Sequence, residues 1–300
     1  MNGNKIAMIF GGTLLLSLML SCAAFTQYGK LESSARKYYQ RGNYDLAVFD
    51  CAKALRQNPN YEKAQTLIQD AFRAAVNKHD GKIADVKVST EKFKWDELVS
   101  EYEALIKLNK TIKELPTLKV KKTNEVIKFE TTDYSQNLSE AKTSAAEVHY
   151  QEGLDLSEKE GVDIQKQAAK EFKAAMVFIP GYKDAGTLYE RARTAGIKRL
   201  AIIPFEDKSG KGRKYGDLPG MIVDDIVSDV INDPSAMEFL EIITRDQLER
   251  IIQEQRLGLS GMIDEKSAVN LGKILGVHEI LTGKITQIIY TPATTVNKSV

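Results

Sequence analysis

The stretch Gly42-Asn43-Tyr44-Asp45-Leu46-Ala47-Val48-Phe49-Asp50-Cys51-Ala52-Lys53-Ala54-Leu55-Arg56-Gln57-Asn58-Pro59-Asn60-Tyr61 decides how the longer, N-terminal part of the chain folds. Ala47 and Ala54 stand two helical turns apart on one face, where a small side chain lets a paired helix approach to about 8–10 Å. Gly42 supplies the backbone freedom to reverse direction ahead of that helix, and Pro59 ends it. The pattern returns at a constant offset. Ala168, Ala175-Met176, Pro180-Gly181-Tyr182 and Ala185 match Ala47, Ala54-Leu55, Pro59-Asn60-Tyr61 and Ala64. A first helix for this second copy is expected at 145–159, followed by the turn Gly161-Val162-Asp163. Between the copies, Phe93-Lys94-Trp95 with Leu98, Tyr102 and Leu105-Ile106 reads as the second helix of a degenerate pair. Residues 115–139 carry no helical stripe and read as an irregular or weakly extended connection, with Lys119-Val120-Lys121-Lys122 as a solvated edge.

These residues resemble the tetratricopeptide repeat, with its turn Gly and Tyr, its small residues on the second helix and its closing Pro; the turn at Gly161 is longer than that family's. The resemblance implies helical modules at 31–114 and 144–196 joined by 115–143. Ala, Tyr and Leu at such positions are first of all packing residues. A stack of helix pairs also offers a groove to a peptide or protein partner.

From Ile197 onward the chain changes character. Leu200-Ala201-Ile202-Ile203-Pro204-Phe205 and Phe239-Leu240-Glu241-Ile242-Ile243-Thr244 are short β-rich runs. Leu218–Ile231 carries a helical stripe at Ile222, Ile226, Val227 and Val230, and helices are expected at 245–255 and 266–275, the latter closed by Gly276. A third strand is expected over 280–290, with Gly283 marking a bulge or a close backbone approach. Alternating strands and helices indicate an open α/β sheet. The fold class expected is therefore N-terminal α-helical repeats followed by a C-terminal α/β domain at 197–300.

Four runs of this region resemble the curli secretion channel (CsgG-type) domain. They are Ala201-Ile202-Ile203-Pro204-Phe205-Glu206-Asp207-Lys208-Ser209-Gly210, Arg245-Asp246-Gln247-Leu248-Glu249-Arg250-Ile251-Ile252-Gln253-Glu254-Gln255, Leu271-Gly272-Lys273-Ile274-Leu275-Gly276-Val277 and Ile280-Leu281-Thr282-Gly283-Lys284-Ile285. The resemblance implies a periplasmic, lipid-anchored domain that assembles in a ring opening the outer membrane, with two β-hairpins per subunit forming a barrel. Val300 falls inside what would be the first hairpin, so no barrel-forming pair is expected from residues 197–300. Tyr215 stands where the family's constriction loop carries a Tyr, as a possible pore-loop residue, but no Asn-Phe pair follows it. Lipoproteins with related domains also act as envelope adaptors without a pore.

The N-terminus fits that setting. Met1-Asn2-Gly3-Asn4-Lys5 precedes an uncharged run over 6–20, then Ser21-Cys22-Ala23-Ala24. A short positive start, an apolar stretch and small residues at its end form a secretory signal at 1–21. Cys22 resembles the lipobox cysteine of bacterial lipoproteins, which would become an acylated N-terminus with 22–30 as linker. Each buried methylene contributes roughly 0.8 kcal/mol, so several acyl chains anchor durably. Ala23 after it resembles the outer-membrane-sorted class, facing the periplasm. The alternative is an uncleaved helix, since 6–29 carries no charge.

Composition and motif spacing argue against other chemistry. Lys and Arg number 42 against 41 Asp and Glu, a balance unlike a dedicated nucleic-acid binder. Two Cys and three His, scattered as His79, His149 and His278, offer neither a zinc cluster nor a disulfide framework. Ser209-Gly210-Lys211-Gly212-Arg213-Lys214 is rich in Gly and cations but lacks phosphate-loop spacing. Asp224-Asp225 point about 100° apart on a helix, so they are not paired carboxylates. Cys51 falls where a small buried residue belongs. No catalytic, cofactor or metal residues are expected. The functional expectation is a non-enzymatic envelope lipoprotein that forms or supports an outer-membrane export complex, through self-association or an exported subunit, or an adaptor that binds a partner through its repeats.

Overall fold

The computed structural model describes residues 26–203, 205–210, 216–243, 247 and 276–289. The expected signal at 1–21, Cys22, Tyr215, the helices at 245–255 and 266–275 and the chain beyond Ile289 lie outside the described residues, apart from Gln247. The chain divides into two compact units, Met1–Val148 and His149–Val300.

In the first unit α1 (Gln27–Gln40), α2 (Tyr44–Gln57), α3 (Glu62–Val88) and α4 (Lys94–Lys113) pack in succession, and α5 (Ser135–Ser157) begins there. Thr26 starts α1, its hydroxyl accepting from Gly29 N at 3.1 Å. Gly42 makes the α1–α2 turn at φ +73°, a conformation that suits a residue without Cβ. The face quoted above is the buried one: Ala47, Val48, Cys51, Ala54 and Leu55 are fully buried. They share one core with Ala64, Ile68, Ala71 and Phe72 of α3.

In the second unit the end of α5 packs on α6 (Val162–Phe178), and α7 (Ala185–Ala195) follows. Ala168, Ala169, Phe172 and Ala175 are all fully buried. The buried positions of α4 have the same spacing: Leu98, Val99, Tyr102 and Leu105. Phe172 shows why small residues face it. A Cβ on Gly153 of α5 would stand 2.7 Å from its ring, so the ring rests on bare backbone.

Several boundaries differ from the sequence reading; β1, for one, spans Lys198–Ile202 rather than 200–205. α5 starts at Ser135 rather than 145, inside the stretch expected to be irregular. Just ahead of it Asp133 turns the chain, its carboxylate accepting from both the amide (2.9 Å) and hydroxyl (2.6 Å) of Ser135. Its inward side is Ala141, Ala145 and Ala146, small residues that leave a weak hydropathic stripe. Val162 and Asp163 belong to the first turn of α6, so the reversal ends at Gly161, with φ +126°. The single strand expected over 280–290 is two strands, as described below.

The α/β part contains β1 (Lys198–Ile202), β2 (Glu206–Asp207), α8 (Leu218–Ile231), α9 (Pro234–Met237), β3 (Leu240–Ile243), β4 (Glu279–Leu281) and β5 (Lys284–Ile285). β1 is central in a parallel three-stranded sheet of order β3-β1-β4, and β2 pairs with β5, again in parallel. α8 has the bounds its stripe predicts. Asp217 caps it through Gly220 N at 3.1 Å, and Pro219 occupies its first turn.

The close approaches give a direct test. Gly153→Ala and Ala175→Leu should each destabilise by about 1–3 kcal/mol through overpacking, whereas Lys121→Ala, at an exposed residue, should stay within about 0.5 kcal/mol. Equal denaturant midpoints for all three would contradict the packing described.

Candidate functional site

The sheet is built outward from β1. Leu200 faces Ile242 on β3 and Glu279 on β4, and Ala201 faces Ile243 and Ile280. Ala201, Ile202, Ile242 and Ile243 are buried. The pairing continues past the end of β1. Ile203 N donates to Leu281 O, Glu206 N to Gly283 O and Lys208 N to Ile285 O, each at 2.9 Å. β4 and β5 are thus two short strands with Thr282 and Gly283 between them. A Cβ on Gly283 would meet the Phe205 ring at 2.8 Å, which is the close backbone approach its position suggested.

A clasp of side chains joins this sheet to the last helix pair. Phe239, just ahead of β3, is 5% exposed and lies in one cluster with Ala169, Phe172 and Ala192. The Lys166 ammonium sits 5.3 Å from its ring centroid. The neighbouring Glu238 carboxylate accepts from Lys173 Nζ at 2.8 Å and from the Tyr189 hydroxyl at 2.9 Å. Lys173 above all holds the Glu238 carboxyl below its ordinary value, against a smaller opposing effect of burial. Lys198 on β1 reaches Glu279 at 3.0 Å and Asp163 at 3.2 Å, and these carboxylates raise its pKa. Gly196, where α7 ends, passes so close to α6 that a Cβ would stand 2.6 Å from Lys166 N. Helix pair and sheet are therefore one packed body within the second unit.

Residues 186–289 match the family model of the curli production assembly/transport component CsgG. The match begins inside α7 and ends with the last described residue of the sheet region. Tyr189, Arg193, Lys198, Glu238, Phe239 and Gly283 therefore all belong to the CsgG-matched region, which is about a third of the chain. Among curated proteins no sequence matches this chain.

Other residues singled out from the sequence take structural places. Cys51 is fully buried, and burial first, then Glu32 and Asp50, pushes its thiol up to about 12, which favours the protonated thiol of a packing residue. Asp224 and Asp225 are exposed on α8. His278 Nδ1 accepts from Arg199 N at 2.9 Å. Among the described residues no group of three or more His, Cys, Asp or Glu could hold a metal ion, and no helix is long and apolar enough to cross a membrane.

His79 holds a position that spacing did not reveal. From α3 it meets Glu101 of α4 at 2.5 Å through Nδ1 and Asp45 of α2 at 3.0 Å through Nε2. Lys82 completes the cluster, reaching Glu101 at 2.7 Å and Glu97 at 2.9 Å. The Asp45 hydrogen bond raises the His79 pKa most; burial opposes it and Glu101 adds to it. Burial pushes Glu101 up, but Lys82 and His79 together hold it below its ordinary value. His149 repeats the arrangement in the second unit, meeting Glu171 at 2.6 Å through Nδ1 while stacked on Phe178.

Two outcomes are expected. Phe239→Ala should destabilise the second unit by about 3–5 kcal/mol, the range for emptying a buried aromatic site, read as a lower denaturant midpoint. For His79 the raised folded value means its contribution is complete below the ordinary 6.5 and is lost as pH rises through the folded pKa. The lowered Glu101 contributes above its ordinary 4.5 and is lost as pH falls through its folded value. His79→Asn should thus destabilise by about 1–2 kcal/mol near pH 6, with the gap shrinking toward pH 9 in parallel thermal melts. A gap independent of pH would contradict the assignment.

Proposed function

We propose that this chain is a non-enzymatic bacterial envelope lipoprotein of the CsgG type, which forms or supports an outer-membrane export or assembly complex. The observation that carries the reading is the family match seated on the β1-centred parallel sheet and its clasp. In this reading residues 1–21 are a signal peptide, and acylated Cys22 anchors the protein in the outer membrane facing the periplasm. The helix pairs at 31–114 and 144–196 are tetratricopeptide-like and receive protein partners, and Tyr215 lies in the loop that would face a pore.

The helices favour a second reading, that of an adaptor without a pore. Most described elements are helices, and stacks of paired helices act by presenting a surface to another protein. The clasp at Glu238 and Phe239 would then fix the sheet to the last helix pair as one rigid binding body.

The anchor and the pore are tested separately. Wild-type protein should sediment with membranes and carry acyl chains by intact mass, while Cys22→Ser should be released or remain as uncut precursor. An unmodified, uncut wild-type N-terminus would overturn the lipoprotein assignment. In planar bilayers, uniform conductance steps from the purified protein would establish a pore formed by these residues, and none under conditions where the protein inserts would count against one.

A further inference from the structure

The segment joining α4 to α5 is neither a helix nor a loop standing in solvent; it folds back over the first unit as a strap. Val120 N donates to Glu125 O at 2.9 Å and Ile127 N to Leu118 O at 2.9 Å, closing a tight reversal in which Asn124 takes φ +59°. Beyond it the side chains alternate. Ile127, Phe129 and Thr131 are half-buried, while Val126, Lys128 and Glu130 are exposed, the period of an extended chain on a surface. Leu115 and Tyr134 anchor its two ends, Leu115 on the first core and the Tyr134 ring 6.0 Å from that of Tyr102. Leu118 is buried, Ile127 and Phe129 lean on the first core, and the Phe129 ring stands edge-on to Phe72 at 5.8 Å.

The seat under the strap is built from two helices and reads main chain. Gln65 on α3 and Asn109 on α4 are 4% and 6% exposed, unusual for amide side chains on the packed faces of helices. Gln65 Nε2 donates to the Lys119 carbonyl at 3.2 Å, and also to the Pro59 carbonyl at 2.6 Å. Asn109 Nδ2 donates to the Thr132 carbonyl at 2.8 Å. A side-chain amide that binds a backbone carbonyl accepts an extended chain whatever its side chains, and apolar pockets then select a few of them. The Phe129 ring, edge-on to Phe72, makes such an apolar contact.

We propose that residues 115–134 are an internal ligand filling a peptide-binding seat on α3 and α4. The outside partner that this seat fits is an extended segment of another protein carrying two apolar side chains two residues apart, as Ile127 and Phe129 are. Tethering gives the strap an effective concentration on the order of millimolar, so the seat stays filled until a partner of higher affinity displaces it. The strap is thereby a gate on partner binding. This inference does not depend on the envelope function.

The test uses the full chain and a dye-labelled synthetic peptide of residues 115–134. The Ile127→Ser/Phe129→Ser variant, whose own strap is weakened, should bind that peptide at least tenfold more tightly than wild type does. The peptide carrying the same two substitutions should not bind. A variant with intact helical circular dichroism that binds no better than wild type overturns the proposal. Should the variant lose its helical signal, hydrogen exchange of the wild type decides. Strap amides at 127–133 are expected to exchange through openings that leave α3 and α4 protected, and exchange only together with α3 and α4 would overturn the proposal.

Discussion

The contact of bare or nearly bare backbone with a neighbouring ring or helix is the constraint on which the second unit depends. Phe172 lies where a Cβ on Gly153 would stand 2.7 Å away, and Ala168, Ala169 and Ala175 around it are fully buried. Gly196 brings the end of α7 against the backbone at Lys166, and Gly283 does the same for β4–β5 at Phe205. Interiors packed to this density cannot take up an added methyl without moving a neighbour. The positions of α6, α7 and the sheet follow from these few sites, because each permits an approach that any larger residue would prevent.

This packing joins the last helix pair to the sheet. Phe239 enters the helical cluster while Glu238 accepts from Lys173 and Tyr189, so the segment before β3 is held by α6 and α7 at once. The CsgG-matched residues begin inside α7. The matched region therefore includes both the end of the helix pair and the sheet packed on it. In the first unit the charged cluster of His79, Glu101, Asp45 and Lys82 ties three helices together. Removing one member of such a cluster leaves a partly buried charge without its partner, which is costly.

Elements with strong periodicity were legible in the sequence. The constant offset between Ala47 and Ala168 located two buried faces, and the stripe of Leu218–Ile231 gave a helix with its observed bounds. The start of α5 was hidden because Ala141, Ala145 and Ala146 form a buried face with little hydropathic contrast. Splitting of the 280–290 run depends on Phe205, whose ring lies against Gly283 from another part of the chain. Gln65, Asn109, His79 and Glu238 were missed for one reason. Each is a polar residue whose role is set by a partner distant in sequence, Lys119, Thr132, Glu101 and Lys173, and local spacing carries no signal of such pairs.

The last helix pair and the CsgG-matched sheet are packed as a single body. Native-state hydrogen exchange in rising denaturant measures this directly, because segments that unfold together converge on one opening free energy. Amides of α6, α7, β1 and β3 should merge into a single isotherm, separate from that of α1–α3. An isotherm shared by α6, α7 and α1–α3, with β1 and β3 opening at lower denaturant on their own, would contradict the account.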